Sequence, residues 1–498
     1  MKTITKEIIE NTRESIVVEY KTAEGNLPSD FWETYSAFCN TEGGVIILGV
    51  KETKPKNIIK GVNNPDQIQR DLWNLLSNRN KVSYNALSND DVKVITIDGK
   101  QIVLIDVPEI DFLHKPVYLG NNYKDAYIRT WDGDRKITEE QLRSFLRNAR
   151  PIMDTEIAAD VTLEDLDSSS IAAFKERVTA RYGSRISPEL SQEAFLDRIN
   201  AIEYSKEGKI LIKKGTLLFF GKYKSIKKHF PSYFLDYINC TVSEKRWIDR
   251  VATDDLYDIE MNVYNFYNIV FEKLRLLLST SFDLDENLVR SQVGNLDVVL
   301  REALTNALAH ADYEMQSSTI KITAHKGWIS FINPGQMLIS RKQFIKGGKS
   351  VLRNELLMTF FRYLGLSERQ GGGGPEIFET AVKNEYRLPE IETSINETEL
   401  KIWHIDLAES YPELNDSEKA VFKVICKNGG PLSTKDIQKS TSMTEYATRK
   451  ALLRLEEEGK IVKSGNGKST RYLLSMSSPE AVTQLQMLVN DLQKRIKG

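Results

Sequence analysis

Hydrophobic and polar residues follow three different patterns along the chain, and each pattern predicts a different kind of fold. In residues 1–150, apolar runs such as GGVIILGV and QIVLIDVP alternate with amphipathic stretches, which is typical of alternating strands and helices. Residues 160–400 mix helix and strand; VYNFYNIVFEKLRLLLS predicts an amphipathic helix and KGTLLFFGKY predicts a buried strand. From about Leu414, three helical patterns precede a hairpin. The patterns together predict an α+β multidomain protein.

Turn-forming and acidic segments mark the borders between these regions. A helix ending in RSFLRNAR stops at Pro151, and the acidic stretch MDTEIAADVTLEDLDSS follows it. A length of 498 residues also indicates about three domains. We therefore predict an N-terminal domain (1–150), a connecting region (151–255), a central domain (256–408), a C-terminal domain (414–476) and an amphipathic tail (477–498).

Composition excludes several classes of protein. No apolar stretch reaches the roughly 18 residues that a membrane span needs, and the N-terminus lacks the apolar core of a signal peptide. Three cysteines lie far apart without metal-ligand spacing, as in reduced cytosolic proteins. A net charge of −2 creates no global attraction for nucleic acid. We expect a cytoplasmic protein without a membrane partner.

The segment REALTNALAHADY contains the first candidate chemistry. Glu302, Asn306 and His310 are spaced by four, so they form one polar stripe on a helix whose other face is apolar. An amide oxygen can ligate Mg²⁺ beside phosphates, and a carboxylate one turn away can orient or deprotonate water. The alternative is an ordinary solvated helix face.

Glycine-rich turns after this helix favour the first interpretation. Two strands (STIKITAHKG and WISFIN) lead into NPGQM, and GGGGPEIF opens a later helix, where backbone N–H groups can bind phosphates. This order resembles a divergent branch of the GHKL ATPase superfamily, which includes gyrase and histidine kinases. The resemblance implies an α/β sandwich that binds ATP and Mg²⁺, with Glu302 activating water and Asn306 holding the metal. It leaves hydrolysis open.

The resemblance also assigns residues around the nucleotide. Asn333 and Gly335 fall at a turn that reads adenine in the superfamily, although Asn333 replaces the usual aspartate, and Asp312 is an alternative contact. His310 completes the polar stripe, and Arg353 is expected in a lid over the nucleotide. The second glycine turn, beside the phosphates, consists of Gly371, Gly372, Gly373 and Gly374.

The N-terminal region resembles the Schlafen/AlbA-like domain. The resemblance rests on RESIVVEYK, AFCNTEGGVIILGVKE, AYIRTWDGDRKIT and the closing helix EEQLRSFL, in that order. Its RNA-cleaving relatives use a carboxylate triad, which maps to Glu14, Glu19 and Glu52; here Glu52 replaces an aspartate. Such a triad can hold divalent ions for phosphodiester cleavage. The alternative is that these carboxylates serve turns, caps or an ion pair with Lys21. Nucleic-acid binding without cleavage is the favoured role, with phosphate contacts from Lys21, Arg129, Arg135 and Lys136 or, equally, ordinary surface charges at these positions.

The last region predicts a winged helix-turn-helix. Ser433 or Thr434 caps its second helix, Thr444 begins the third, and Gly465-Asn466-Gly467 forms the hairpin tip. Between Asn415 and Ser475 there are 12 basic and 7 acidic residues. The cations expected at nucleic acid are Arg449, Lys450 and Arg454 on the third helix, and Lys463, Lys468 and Arg471 on the hairpin. A protein-interaction role is the alternative.

The order of these domains resembles bacterial ATP-binding proteins of the transcription-regulator type. It implies a nucleic-acid-binding regulator, with DNA favoured over RNA, in which ATP repositions the DNA-binding domains. A homodimer is expected because GHKL modules often act in pairs. The alternatives are an ATP-gated, metal-dependent nuclease with a role in defence, and a scaffold that holds nucleotide only for structural reasons.

Overall fold

The structure is a computed structural model of the 498-residue chain. It describes residues 9–10, 14–23, 25–54, 56–130, 133–149, 153–282, 290–316, 319–348, 350–367, 371–428, 431–465, 467 and 470–475. The chain forms two compact units, Met1–Pro151 and Ile152–Gly498. In the described residues, no helix combines the length and the apolar character that a membrane crossing requires.

The first unit is built on a four-stranded sheet. Its elements in chain order are β1 (Val18–Lys21), α1 (Phe31–Asn40), β2 (Gly44–Leu48), β3 (Val50–Lys51), β4 (Ile58–Ile59), α2 (Pro65–Leu76), β5 (Val92–Ile97), β6 (Lys100–Val107), β7 (Tyr127–Thr130), β8 (Gly133–Lys136) and α3 (Glu139–Asn148). The sheet order is β1-β2-β6-β5. Strand β1 runs parallel to β2, and α1 makes the crossover between them, while the other pairs are antiparallel.

Both faces of this sheet are covered by apolar side chains. One core joins α1 and α2 to Ile46, Leu48, Val103 and Ile105. A smaller cluster with Ile47, Ile102 and Leu104 lies on the other face. Alternate residues of β2 and β6 therefore enter different cores, which explains why both strands are almost continuously apolar in sequence.

The second unit is larger and contains the candidate nucleotide site. Its elements are α4 (Ser168–Tyr182), α5 (Gln192–Arg198), β9 (Ile202–Tyr204), β10 (Ile210–Ile212), α6 (Lys214–Phe220), α7 (Tyr223–His229), β11 (Leu235–Asn239), β12 (Asp249–Ala252), α8 (Val263–Phe282), α9 (Arg290–Ala309), β13 (Ile320–His325), β14 (Trp328–Pro334), α10 (Arg341–Lys346), α11 (Glu355–Tyr363), α12 (Gly373–Lys383), β15 (Glu390–Thr393), β16 (Glu397–Trp403), α13 (Asp416–Asn428), α14 (Thr434–Thr441), α15 (Glu445–Glu457), β17 (Ile461–Ser464) and β18 (Arg471–Leu474).

A six-stranded sheet organises this unit, in the order β12-β11-β13-β14-β16-β15. Strands β11 and β13 are parallel and the remaining neighbours are antiparallel. Helix α9 packs against α8, α11, α12 and β14. One apolar core runs from Ala158 to Ile402, and β11 and β12 belong to the sheet. The expected border near residue 255 therefore falls inside this sheet.

The segment KGTLLFFGKY corrects one secondary-structure prediction. It was predicted as a buried strand, but Lys214–Phe220 is helix α6. Its residues from Gly215 to Phe220 are all buried. A short segment that is covered on every side shows no polar face, so helix and strand cannot be distinguished from its pattern. The helix prediction for VYNFYNIVFEKLRLLLS is confirmed by α8.

The C-terminal elements of this unit are three helices and a hairpin, as the pattern predicted. Ser433 caps α14 in a reciprocal capping box with Asp436, and Thr444 caps α15. Gly465 and Gly467 both have positive φ, as a tight hairpin tip requires. The apolar core of these three helices and the hairpin contains Val421, Phe422, Ile437, Leu452 and Leu455. The predicted tail, 477–498, lies outside the described residues.

Candidate functional site

A cavity of about 300 Å³ opens between α9, the start of α12 and the strands β14 to β16. Several predicted nucleotide contacts line it: Glu302, Asn306, His310, Asn333, Gly371, Gly373 and Gly374. Its apolar walls include Ala303, Phe331, Met337, Leu338, Ile391 and Leu400. A largely apolar cavity with a few convergent polar groups is typical of a small-molecule site.

Glu302 and Asn306 interact directly on α9. The amide nitrogen Nδ2 of Asn306 donates to Oε1 of Glu302 over 3.0 Å. This hydrogen bond fixes the side-chain amide, so its oxygen Oδ1 points away from the carboxylate. The cavity therefore contains a carboxylate and an oriented amide oxygen, the two groups expected beside a Mg²⁺–phosphate complex.

The glycine turn brings the N-terminus of α12 against this pair. A Cβ at Gly373 would overlap the carboxylate of Glu302, and a Cβ at Gly374 would overlap the carbonyl of Phe344. Helix α12 has no side-chain cap. Glycines at these positions allow the start of a helix, with its positive dipole end, to approach the cavity closely. The N-terminus of α12 is therefore suited to binding an anion.

Asn333 lies near the end of β14. It pairs with Thr398 across β14 and β16, and both residues line the cavity. The sequence contains no signal for Thr398, because strand pairing over such a distance leaves no local pattern. Ser350 also lines the cavity, three residues before Arg353, which was expected in a lid.

Asp312, Gly335 and Arg353 were also predicted as nucleotide contacts, but they form a buried cluster beside the cavity. Arg353 donates from Nε to the carbonyl of His310 and from NH2 to that of Gln336, over 3.0 and 2.8 Å. Its NH1 lies 3.7 Å from Oδ2 of Asp312. In the described residues, neither these three nor Gly372 are among the cavity-lining side chains. Arg353 instead binds carbonyl oxygens because it is buried, and they satisfy its guanidinium.

Asn354 acts with Arg353 at the end of α9. Its Nδ2 donates to the carbonyls of Ala309 and Ala311, over 2.9 and 2.7 Å. The last carbonyls of a helix lack partners within the helix. The two side chains therefore fasten the C-terminal end of α9 to the segment that precedes α11.

His310 is a neutral member of the polar stripe. Burial, assisted by the positive charge of Arg353, lowers the pKa of His310 to about 4. Its imidazole is therefore uncharged at neutral pH, where it can donate or accept a hydrogen bond but contributes no positive charge to the cavity.

In the first unit, the three predicted carboxylates lie close together. Oε1 of Glu52 accepts the backbone N–H of Glu14 over 3.1 Å. Burial, Glu19 and Glu52 raise the pKa of Glu14 to about 7. Glu19 is neutralised by Lys21 at 2.9 Å and Arg129 at 2.7 Å. In the described residues, no group of three or more His, Cys, Asp or Glu side chains could hold a metal ion.

The predicted phosphate contacts of this unit divide into two pairs. Lys21 and Arg129 are buried, and they form ion pairs with Asp30 and Asp134 as well as with Glu19. Buried cations held by three carboxylates cannot reach a surface ligand in this arrangement. Arg135 and Lys136 are exposed on β8, where Lys136 binds Asp125 at 2.8 Å. Only this second pair is placed to meet a phosphate.

The predicted cations of the second unit are mostly at the surface. Arg449 and Arg454 are exposed on α15 and form ion pairs with Glu445 and Glu458. Lys450 and Lys463 are exposed, and Arg471 is half-buried. Lys468 lies outside the described residues. Tyr446 is also exposed on α15, which adds an aromatic ring to the basic surface.

A second cavity, of about 490 Å³, lies between β15, α10, α12 and the C-terminal helices. Arg387 and Lys460 approach it, with Lys460 over the ring of Tyr411 at 3.4 Å. Ile391 lines both cavities. One strand, β15, is therefore a common wall between the candidate nucleotide site and the C-terminal helices.

Three segments of the chain match known families. Residues 14–138 match "Schlafen, AlbA_2", residues 317–402 match "Putative ATP-dependent DNA helicase recG C-terminal", and residues 143–236 match a domain of unknown function. The first match confirms the Schlafen/AlbA-like expectation, and the second identifies an ATPase-like domain. The ATPase-like match begins after α9, so it does not include Glu302 or Asn306.

Two solved structures are similar over different lengths. The DIP2311 protein from Corynebacterium diphtheriae is 15% identical, with a TM-score of 0.39, over 92% of this chain and 95% of that one. The N-terminal domain of a "Putative ATP-dependent DNA Helicase RecG-related Protein" from Nitrosomonas europaea is 28% identical, with a TM-score of 0.20, over 26% and 86%. Neither similarity is close enough to support an argument about function. No curated protein matches the chain.

Proposed function

We propose that this chain binds ATP with Mg²⁺ in the cavity of its second unit, and that the bound nucleotide controls binding to nucleic acid. The observation that carries the proposal is the convergence of Glu302, Asn306 and the glycine-rich start of α12 on one cavity. The match of residues 317–402 to an ATPase-like family supports it. The sheet and its helices are consistent with the GHKL-type sandwich predicted from the sequence.

Each group in the cavity has a distinct role in this proposal. The amide oxygen of Asn306 would ligate Mg²⁺, and the N–H groups at the start of α12 would bind phosphate oxygens. Asn333 and Thr398, which pair across β14 and β16, would contact the base. Glu302 would orient a water molecule, and any ATPase activity would depend on it. Bound Mg²⁺ would neutralise phosphate charge beside these residues.

Nucleic-acid binding is proposed for two surfaces. The Schlafen/AlbA-like match supports the first unit, where Arg135 and Lys136 are exposed. The three helices and hairpin support a winged helix in the second, with Lys450 and Lys463 at its surface. We propose DNA as the ligand and regulation of transcription as the role. All three cysteines are free, which supports a cytoplasmic location.

Titration with a fluorescent ATP analogue tests the nucleotide site. We expect Asn306→Ala to weaken Mg²⁺-dependent binding at least about tenfold, because it removes the metal ligand and the partner of Glu302. Asn384→Ala is the control, since Asn384 likewise donates a hydrogen bond within its own helical region, to the carbonyl of Thr380, but does not line the cavity. Equal affinity of the wild type and Asn306→Ala for the ATP analogue would contradict the proposal.

The nuclease alternative receives less support from the first unit. Glu14, Glu19 and Glu52 lie close together, as a cleavage site would require. Glu19, however, is committed to Lys21 and Arg129. A cation would have to displace both basic groups before the three carboxylates could share it. Cleavage of RNA or DNA with Mg²⁺ or Mn²⁺ that is lost in Glu19→Gln would revive this alternative.

A further inference from the structure

Two helices of the second unit end beside each other, and both carry arginines at this junction. Tyr182, at the end of α4, packs edge-on against Tyr363, at the end of α11, with 6.1 Å between the ring centres. Arg181 lies against the turn that follows α11, where a Cβ at Gly365 would overlap its guanidinium group. Arg362 lies over the ring of Tyr363 at 5.9 Å. Both arginines therefore belong to the same helix junction.

Two further arginines adjoin this junction. Arg177 lies one turn before Arg181 on α4, and its NH1 donates to Oδ1 of Asn268 on α8 over 2.7 Å. Burial raises the pKa of Tyr267 on the same helix, and the positive charges of Arg301 and Arg177 oppose that rise. Because both charges act on one hydroxyl, Arg301 of α9 lies near Arg177 of α4. We call Arg177, Arg181, Arg301 and Arg362 the arginine cluster.

The charges of this cluster are not compensated as they are at other arginines. Several arginines elsewhere in the second unit bind carboxylates over 2.6 to 2.9 Å: Arg250 binds Asp236, Arg387 binds Glu390 and Arg454 binds Glu458. In the cluster, Arg177 donates to the amide of Asn268, and Arg362 donates to the hydroxyl of Thr359. Nε of Arg301 is buried without a hydrogen-bond partner in the described residues. A buried donor of this kind is unusual in a folded protein, and a bound acceptor would satisfy it.

The arrangement of the cluster suits a ligand with several negative groups in succession. Arg177 and Arg181 are exposed, whereas Arg301 and Arg362 are half-buried. One turn of α4 separates the two exposed arginines by about 6 Å along the helix axis. A guanidinium group presents a planar set of donors that matches the oxygens of a phosphate group. Neighbouring guanidinium groups can therefore bind successive phosphate groups of one chain.

We propose that the arginine cluster binds a chain of phosphate groups, as found in single-stranded nucleic acid and in inorganic polyphosphate. Arg177 and Arg181 would contact successive phosphates at the surface, and Nε of Arg301 would donate to a phosphate oxygen. The cluster is separate from the two nucleic-acid surfaces proposed above. It goes beyond the proposed function and does not depend on ATP binding, although Glu302, which follows Arg301, lines the nucleotide cavity.

Substitution of the two exposed arginines in the full-length protein tests the proposal. Arg177→Gln with Arg181→Gln should weaken binding of a labelled single-stranded oligonucleotide, of inorganic polyphosphate, or of both, at least about tenfold. The slope of log affinity against log salt should fall by about one to two, because two phosphate contacts are lost. Arg301 stays unchanged because it adjoins Glu302. Lys206→Gln with Lys209→Gln, which removes the same charge from the exposed β9–β10 hairpin, is the control.

The two ligands distinguish the source of the phosphate chain. A loss of affinity confined to the oligonucleotide would identify the nucleic-acid backbone as the ligand, and a loss confined to polyphosphate would identify the free polyanion. A loss for both would support a general site for phosphate chains. Unchanged affinity for both ligands, or an equal loss in the control variant, would overturn the proposal.

Arg177→Lys with Arg181→Lys separates the charge of these side chains from their packing. Lysine keeps the positive charge but not the planar group that lies against Gly365. The lysine variant should therefore keep the salt slope of the wild type, even if thermal unfolding shows that the helix junction is less stable. A salt slope that falls as far as in the glutamine variant would show that packing, not phosphate binding, explains the loss.

Discussion

Gly372 and Gly373 are neighbours at the start of α12, but their surroundings differ. A Cβ at Gly372 would meet open space, whereas a Cβ at Gly373 would overlap the carboxylate of Glu302. Neither has the positive φ that requires glycine. Gly373 is therefore needed for close packing and Gly372 is not, although the sequence GGGG treats them alike.

This difference gives a matched pair of substitutions. We expect Gly373→Ala to weaken ATP binding at least about tenfold, because the methyl group pushes Glu302 and Asn306 out of place. Gly372→Ala should bind like the wild type. Calorimetric titration with ATP and Mg²⁺ measures both. Equal affinities for the two variants would show that α12 does not need to approach Glu302 for nucleotide to bind.

The raised pKa of Glu14 predicts that the stability of the first unit depends on pH. Burial, together with the charges of Glu19 and Glu52, raises the pKa of Glu14 from 4.5 to about 7 in the folded protein, so the folded state holds this proton more tightly than the unfolded chain. The resulting stabilisation is complete below about 4.5 and is lost as the pH rises through about 7. Glu14→Gln should keep the hydrogen bond from Tyr20 but remove the charge.

Thermal unfolding of the full chain at two pH values checks this prediction. At about pH 8 we expect Glu14→Gln to unfold at a higher temperature than the wild type, because the wild-type carboxylate is then charged beside Glu19 and Glu52. At about pH 5 the difference should be small, which makes the lower pH an internal control. A variant that is less stable at the higher pH would contradict the assigned direction.

At the scale of single elements, helix α9 depends on a segment far away in sequence. Asn354 and Arg353 hold the carbonyls of Ala309, His310 and Ala311. Asn354→Ala leaves two buried carbonyls without this donor and should lower the free energy of unfolding by about 1–3 kcal/mol. Asn384→Ala, which removes one bond from a half-buried site, should cost less. Urea unfolding of both variants compares them; equal losses would contradict this role for Asn354.

Helix α15 is the element of the second unit for which we predict contact with nucleic acid. Arg449 and Arg454 already have acidic partners on the helix, so Lys450 is the more informative residue. If α15 contacts phosphates, Lys450→Ala should weaken binding for all sequences and lower the slope of log affinity against log salt by about one. Lys206→Ala is a control on another surface. An unchanged slope with unchanged affinity would remove α15 from the interface.

Sequence reasoning succeeded for elements with a strong local pattern and failed where distant segments meet. The stripe of Glu302 and Asn306 was visible because helical spacing is local. Helix α6 was missed because it is buried on every side. Arg353 was expected at the nucleotide, but it binds the end of α9. No local sequence pattern reveals that contact. The pattern of the sequence offered an ion pair between Glu19 and Lys21 only as an alternative to phosphate contact, and the structure shows that pair. The further partners, Asp30 of Lys21 and Asp134 of Arg129, are not part of a helical repeat and left no signal.

At the scale of the whole molecule, the proposed function requires nucleotide and nucleic acid to influence each other. If ATP changes the affinity for duplex DNA by some factor, DNA must change the affinity for ATP by the same factor. We expect a change of at least about fivefold in both titrations, with Asn306→Ala abolishing it. DNA affinity that is identical with and without saturating ATP would leave a nucleotide-binding protein without the regulatory link.

The β15 strand offers a physical route for such a link within the second unit. Ile391 lines both cavities, and the second cavity reaches the C-terminal helices through Tyr411 and Lys460. Shared walls transmit small displacements because protein interiors are densely packed. The ATPase-like match covers this strand and the glycine turn at the start of α12, but not α9.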